Sequence, residues 1–133
     1  MVFADSSGFI AAFDARDTGH NAAAKAFRHL AKAGQAVLTT DLVVSETLTH
    51  LRRRGGWEAS KRGGDAILRS RGVQIVCADR ESLEAAYREF VRNGDPKLSL
   101  CDAFSFIAMR ERGIARAITF DRHFVDAGFE ILD

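Results

Sequence analysis

Apolar and polar positions follow two periods along the chain. Short, nearly continuous apolar runs cover residues 2–4, 36–40, 73–78, 115–120 and 129–132. Runs of that length, several rich in β-branched residues, predict buried strands. Between them lie segments of helical period. Ser6, Ser7 and Gly8 open a helix through Phe13, and an Ala-rich helix over residues 19–33 stops at Gly34. Asp41 is placed to cap a helix over residues 42–53, which ends near Gly55 and Gly56. A further helix over residues 57–70 is weakened by Gly63 and Gly64. Residues 81–92 form an amphipathic helix with Leu83, Ala86, Tyr87 and Phe90 on one side. Residues 93–96 are a loop, and residues 98–112 a helix that is apolar on nearly every side.

Short strands alternating with longer helices predict an α/β domain with a mostly parallel sheet of about four to five strands flanked by helices. Its 133 residues fit one domain, spanning 1–133. In such open sheets, ligands bind beyond the carboxyl ends of the strands. Asp5 and Asp121 each directly follow a strand there.

The helix over residues 98–112 carries the next sign of chemistry. Its polar residues Ser99, Asp102 and Ser105 recur every third position and share one face. A carboxylate in so apolar a setting is costly unless it is paired or holds a metal. Glu46 lies on the second turn of its helix, too far in to cap it, with Leu42, Val43 and Thr49 beside it. Asp5, Asp102 and Asp121 also have plain explanations as helix caps. One arrangement accounts for all four acids: Asp5, Glu46, Asp102 and Asp121 facing one cleft. Four such carboxylates repel one another and would hold protons unless a cation joins them. An all-oxygen set suits Mg²⁺, with Mn²⁺ accepting similar ligands. No His or Cys has the spacing of a zinc site.

In these residues the chain resembles the PIN-domain family, and within it the VapC-like toxins of toxin–antitoxin pairs. The likeness spans essentially the whole chain. It rests on Asp5 in Phe-Ala-Asp-Ser-Ser, Glu46 in Val-Ser-Glu-Thr-Leu, Asp102 in Leu-Cys-Asp-Ala and Asp121 in Thr-Phe-Asp-Arg-His-Phe. The resemblance implies an endoribonuclease dependent on Mg²⁺, with Mn²⁺ as a substitute. It makes Asp5 and Asp102 direct metal ligands. Glu46 and Asp121 bind through water, complete a second metal site or orient the nucleophile. Ser6 and Thr119 match small hydroxyl positions near the family's site. RNA as substrate, a cognate antitoxin and a homodimer are the partners implied. A PIN nuclease of RNA processing that is not a toxin, or a catalytically silent PIN-fold binding module, are the alternatives.

Charge adds little by itself, because the net charge is +1. Local charge says more. Arg52, Arg53 and Arg54 head a basic region with Lys61, Arg62, Arg69 and Arg71, opposed only by Glu58 and Asp65. This region is either an RNA-backbone track or a salt-bridged helical surface. Most phenylalanines sit on apolar runs and belong to the core. Cys77 and Cys101 read as small core residues of a reduced compartment. No basic leader or run of membrane-spanning length is present, which predicts a cytoplasmic protein with no membrane contact. A receiver-type phosphotransfer domain would need a lysine near the last strands. A haloacid-dehalogenase-type phosphatase would need Asp-x-Asp where this chain has Asp5-Ser6-Ser7.

Overall fold

The structure is a computed structural model that describes residues 1–132. Among those residues, five strands form one sheet in the order β3-β2-β1-β4-β5, flanked by six helices. The strands are β1 (Val2–Ala4), β2 (Val37–Thr40), β3 (Val73–Val76), β4 (Arg116–Ile118) and β5 (Glu130–Ile131). Every pairing is parallel. The helices are α1 (Ser6–Phe13), α2 (His20–Lys32), α3 (Asp41–Leu68), α4 (Arg80–Arg92), α5 (Leu100–Glu111) and α6 (Arg122–Asp126).

The strand order reverses direction at β1. The chain goes from β1 to β2 on one side, and β4 later fills the other. A crevice opens at such a switch point, beyond the carboxyl ends of the two strands. β1 and β4 are in register as Phe3 with Ala117 and Ala4 with Ile118. Both strands therefore end side by side, and the backbone N–H of Asp5 donates to the Ile118 carbonyl at 3.1 Å. Sheet register thus brings together residues more than a hundred positions apart.

Completely buried strands need apolar side chains on both faces. Val2, Phe3, Ala4, Ala117 and Ile118 meet that demand, each at most 1% exposed. Thr39, buried in β2, donates its hydroxyl to the Ala4 carbonyl at 2.9 Å, so its polar atom is satisfied. α5 is apolar around its circumference because it serves two clusters. Phe106 and Met109 join the main core, and Phe104 packs with Ala86 of α4 and Ala103. Phe106 meets Phe124 edge-on with ring centres 5.0 Å apart, and that contact seats α6. Burial of a ring such as Phe124 contributes roughly 1.5–3 kcal/mol.

Several boundaries differ from the sequence expectation, each for a local reason. Thr40, not Asp41, caps α3 by accepting the Val43 N–H. Asp41 instead ties α3 to the end of β3, accepting the Ala78 N–H at 3.0 Å. The two helices expected over residues 42–53 and 57–70 are one element broken at Gly56, whose φ of 72° only glycine adopts cheaply. Cys77 is exposed rather than buried, because β3 is an edge strand and the chain leaves it there. On α4, Ala86 packs against α5 while Leu83, Tyr87, Phe90 and Val91 stay exposed, so only part of its apolar side is covered.

Candidate metal centre

Three aspartates sit at helix starts, and each caps its helix with one carboxylate oxygen. Asp5 caps α1. Its Oδ2 accepts from the Ser7 N–H at 3.4 Å, the Ser7 hydroxyl at 3.0 Å and the Thr119 hydroxyl at 3.1 Å. Asp102 lies at the third position of α5 in a capping box. Its Oδ2 accepts the Ser99 N–H at 3.0 Å while the Ser99 hydroxyl accepts the Asp102 N–H at 3.0 Å. Asp121 caps α6, its Oδ1 accepting the His123 N–H at 2.9 Å. The capping role and the site role are therefore not rivals. A cap fixes the carboxylate's direction by holding one oxygen. Among the described residues, the second oxygen of each aspartate has no hydrogen-bond donor.

The unpartnered oxygen of Asp5 is the most telling. Asp5 is 2% exposed and its Oδ1 is fully buried without a partner. An unsatisfied buried acceptor costs about 1–3 kcal/mol, and more when charged. Burial pushes the Asp5 pKa from 3.8 up to about 6, against the pull of hydrogen bonds from the Ser6 backbone, Ser7 and Thr119, with the charge of Asp102 adding to the rise. Burial likewise raises the pKa of Asp102, with the charges of Asp121 and Glu46 adding to it. These mutual influences place all four acids in one field.

The four are not equidistant. Ligand atoms of Asp102, Asp121 and His123 lie within 4.8 Å of one another. Asp5 and Glu46 stand outside that tight group and flank it. Glu46 projects from α3, exposed, toward the Cys101 thiol. Burial raises the pKa of that thiol, and Glu46, Asp5 and Asp102 raise it further, so it stays protonated. Cys101 is thus a half-buried neighbour of the acids rather than an interior filler.

Sequence reasoning missed three residues here. His123, given no role by the sequence pattern, holds Asp121 Oδ1 at 2.7 Å through Nδ1 and Asp95 Oδ2 at 2.9 Å through Nε2. Burial opposes its positive form, but the hydrogen bonds and charges of Asp121 and Asp95 outweigh it and raise the pKa. Asp95 enters from the loop before α5, which no periodicity marks. Ser7 is the third. Of the hydroxyls named from the sequence, the Thr119 hydroxyl bonds Asp5, whereas the Ser6 hydroxyl makes no bond to it. The second hydroxyl on Asp5 belongs to Ser7. Asp-x-His at a helix start was the available signal for His123.

The basic region divides. Lys61 and Arg69 pair with Asp65 at 2.7 and 3.1 Å, as ordinary helical surface pairs do. Arg52 bonds the Ser60 hydroxyl. Arg54 reaches Asp14 at 3.5 Å and lines a hollow that begins at Ser7.

A carboxylate set at the switch point of a parallel sheet, with free oxygens and one buried orphan acceptor, fits a hard divalent cation. The class is an α/β domain with an acidic cluster at the crevice of its parallel sheet. The chain belongs to the PIN-domain family, whose pattern it matches over residues 2–130. It is 37% identical over 131 residues to the 23S rRNA-specific endonuclease VapC20 of Mycobacterium tuberculosis, in both strain CDC 1551 and strain H37Rv. That alignment covers 97% of this chain and 95% of the relative. The crystal structure of M. tuberculosis VapC20, described as a sarcin-ricin-loop-cleaving toxin, superimposes with a TM-score of 0.87. Sequence identity there is 32%, covering 97% of this chain and 96% of that one.

A pH prediction follows from Asp5. A carboxyl whose folded pKa is raised loses stability as pH climbs from its unfolded value through its folded one. Here that window runs from 3.8 to about 6. In cation-free protein, Asp5→Asn should gain about 3 kcal/mol on the parent between acid and neutral pH. Parallel denaturation curves across that range would contradict this.

Proposed function

We propose that the chain is a metal-dependent endoribonuclease and the toxin of a VapBC-type toxin–antitoxin pair. The observation that carries this reading is that Asp5, Asp102 and Asp121, all at helix starts, each keep one carboxylate oxygen without a donor, with ligand atoms of Asp102 and Asp121 within 4.8 Å of one another. The cation is Mg²⁺, with Mn²⁺ able to replace it. Bound there, it would lower the pKa of a water and neutralise charge on the phosphate. Asp5 and Asp102 hold the cation directly. Asp121, steadied by the Thr119 hydroxyl that accepts its N–H at 3.0 Å, contributes from the facing strand end. Glu46 is exposed and makes no ion pair among the described residues, so it is free to orient the attacking water. The catalytic set is therefore Asp5, Glu46, Asp102 and Asp121.

The substrate is RNA, and the names of the relatives make ribosomal RNA the first one to try. An antitoxin segment would cover the cleft. The exposed strip Leu83, Tyr87, Phe90 and Val91 on α4 is the surface for a second copy; sedimentation as a monomer at high concentration would contradict that dimer. No helix among the described residues is long and apolar enough to cross a membrane. A cytoplasmic location belongs to the same proposal, since that is where ribosomal RNA would be met. Sequencing of RNA ends after induced expression tests the reading. New ends at defined positions, absent when purified protein is assayed with a chelator, are expected. Unaltered RNA in the presence of cation would refute it.

Arg52, Arg53 and Arg54 are the proposed contacts to the RNA backbone. Changing Arg53 and Arg54 together to Ala should reduce the slope of log affinity against log salt by about 1–2, roughly one per lost phosphate contact. An unchanged slope would return the three to ordinary surface.

A further inference from the structure

Phe120 stays out of the core although it follows the buried end of β4. It lies between Thr119 and Asp121, yet its side chain is 50% exposed. Its backbone is pinned to the acidic site: the Phe120 N–H donates to the Ser7 hydroxyl at 2.9 Å, and that hydroxyl donates to Asp5 Oδ2. The ring is held as well. A Cβ built on Gly19 would lie 2.5 Å from Phe120 Cζ and 2.8 and 2.9 Å from its two Cε atoms. In the plane of the ring, a contact that close to Cζ would stand well over 3 Å from both Cε atoms. The near-equal distances therefore put Gly19 over one face of the ring. Gly19 is fixed in turn, its N–H donating to Asp17 Oδ1 at 2.8 Å.

Besides resting against Gly19, the ring lines a hollow of about 380 Å³ together with Ser7, Ile10, Asp17, Thr18, His50 and Arg54. That volume falls within the usual range for a small-molecule site, about 300–1,000 Å³. An anchored aromatic ring beside an acidic site, with Arg54 lining the same hollow, suits an unpaired base whose phosphate lies near the acids. We infer that Phe120 is a stacking platform for the RNA base next to the cleaved phosphate, and that Gly19 is a glycine because the ring must lie flat against it. This rests on the nuclease reading above.

The test uses a short single-stranded oligoribonucleotide carrying 2-aminopurine, whose fluorescence is quenched by stacking. Binding is measured with the parent, Phe120→Ala, Phe120→Leu, Phe120→Trp and Gly19→Ala, each also assayed for cleavage of ribosomal RNA. Loss of one stacked base should weaken binding about tenfold or more in Phe120→Ala and Phe120→Leu, and reduce the quench. Phe120→Trp should keep both. Gly19→Ala should behave like Phe120→Leu, although Phe120 itself is intact. Since Phe120 is half exposed, its variants are expected to fold, and thermal melting checks this. Equal binding and quench across all five, with a parent that cleaves RNA, overturns the inference alone. So does an unchanged RNA affinity together with lost association of protein copies, which would make Phe120 a protein contact. A parent that neither binds nor cleaves RNA overturns the nuclease reading itself.

Discussion

Replacing Asp102 with Asn should leave a folded protein that no longer cuts RNA. The capping role of this side chain is one that the variant can keep. One carboxylate oxygen accepts the Ser99 N–H, and the Ser99 hydroxyl accepts the Asp102 N–H in return. An asparagine amide oxygen can accept the same N–H, so the cap of α5 survives. The buried negative charge does not. Its removal also relieves repulsion from Asp121 and Glu46, which help to raise the Asp102 pKa. Stability in the absence of cation should therefore hold or rise. Cleavage should fall by about three orders of magnitude, the upper scale for losing one preorganised electrostatic group. Thermal melting and a ribosomal RNA cleavage assay read the two effects independently. A variant that unfolds, or one that cuts as well as the parent, would contradict the division of roles.

The second large effect is expected at Gly8, which carries no chemistry. Here α1 passes directly over the end of β4. A Cβ at Gly8 would lie 2.3 Å from the Ile118 carbonyl oxygen and 2.9 Å from its carbon. Those are backbone atoms, which cannot rotate aside. Gly8→Ala must push α1 off the sheet or spread β1 from β4. Either movement strains the Asp5 N–H bond to Ile118 at 3.1 Å and the Thr119 bond to Asp5. Overpacking of this kind costs about 1–3 kcal/mol, and contact with main chain favours the upper end. Activity should fall even at temperatures where the variant is fully folded, because the acids lose their register. Gly64→Ala makes a suitable comparison, since its added Cβ would meet only Leu48 side-chain atoms at ordinary contact distances of 3.5 and 3.6 Å. Equal stability of the two variants would contradict the close approach of α1 to β4.

The acids were legible in the sequence because each broke a local pattern. Asp5 and Asp121 ended apolar runs, Asp102 interrupted an apolar helix, and Glu46 sat too deep to cap. The parallel sheet was legible for a related reason: strands buried on both faces must be apolar throughout. Pairwise partners were not legible. His123 meets Asp95 across 28 positions, and Ser7 meets Phe120 across 113. Such pairs are set by where helices dock, which local spacing does not encode. Caps were misplaced by one residue at Thr40 and Asp41 because both types cap helices well, and only the backbone decides between them. Phe120 looked like its core-bound relatives because it follows Ala117 and Ile118. β4 ends before it, so its side chain leaves the alternation of the strand and turns outward.

The central claim is that separate helix caps, brought together by sheet register, form one cation site. Anomalous diffraction at the manganese edge, from crystals grown with Mn²⁺, tests it most directly. The expected result is a peak within about 2–2.6 Å of the free oxygens of Asp5 and Asp102, the range of hard-cation ligation. A clean map at that position, with Asp5 Oδ1 still unpartnered and Mn²⁺ bound elsewhere or not at all, would contradict it.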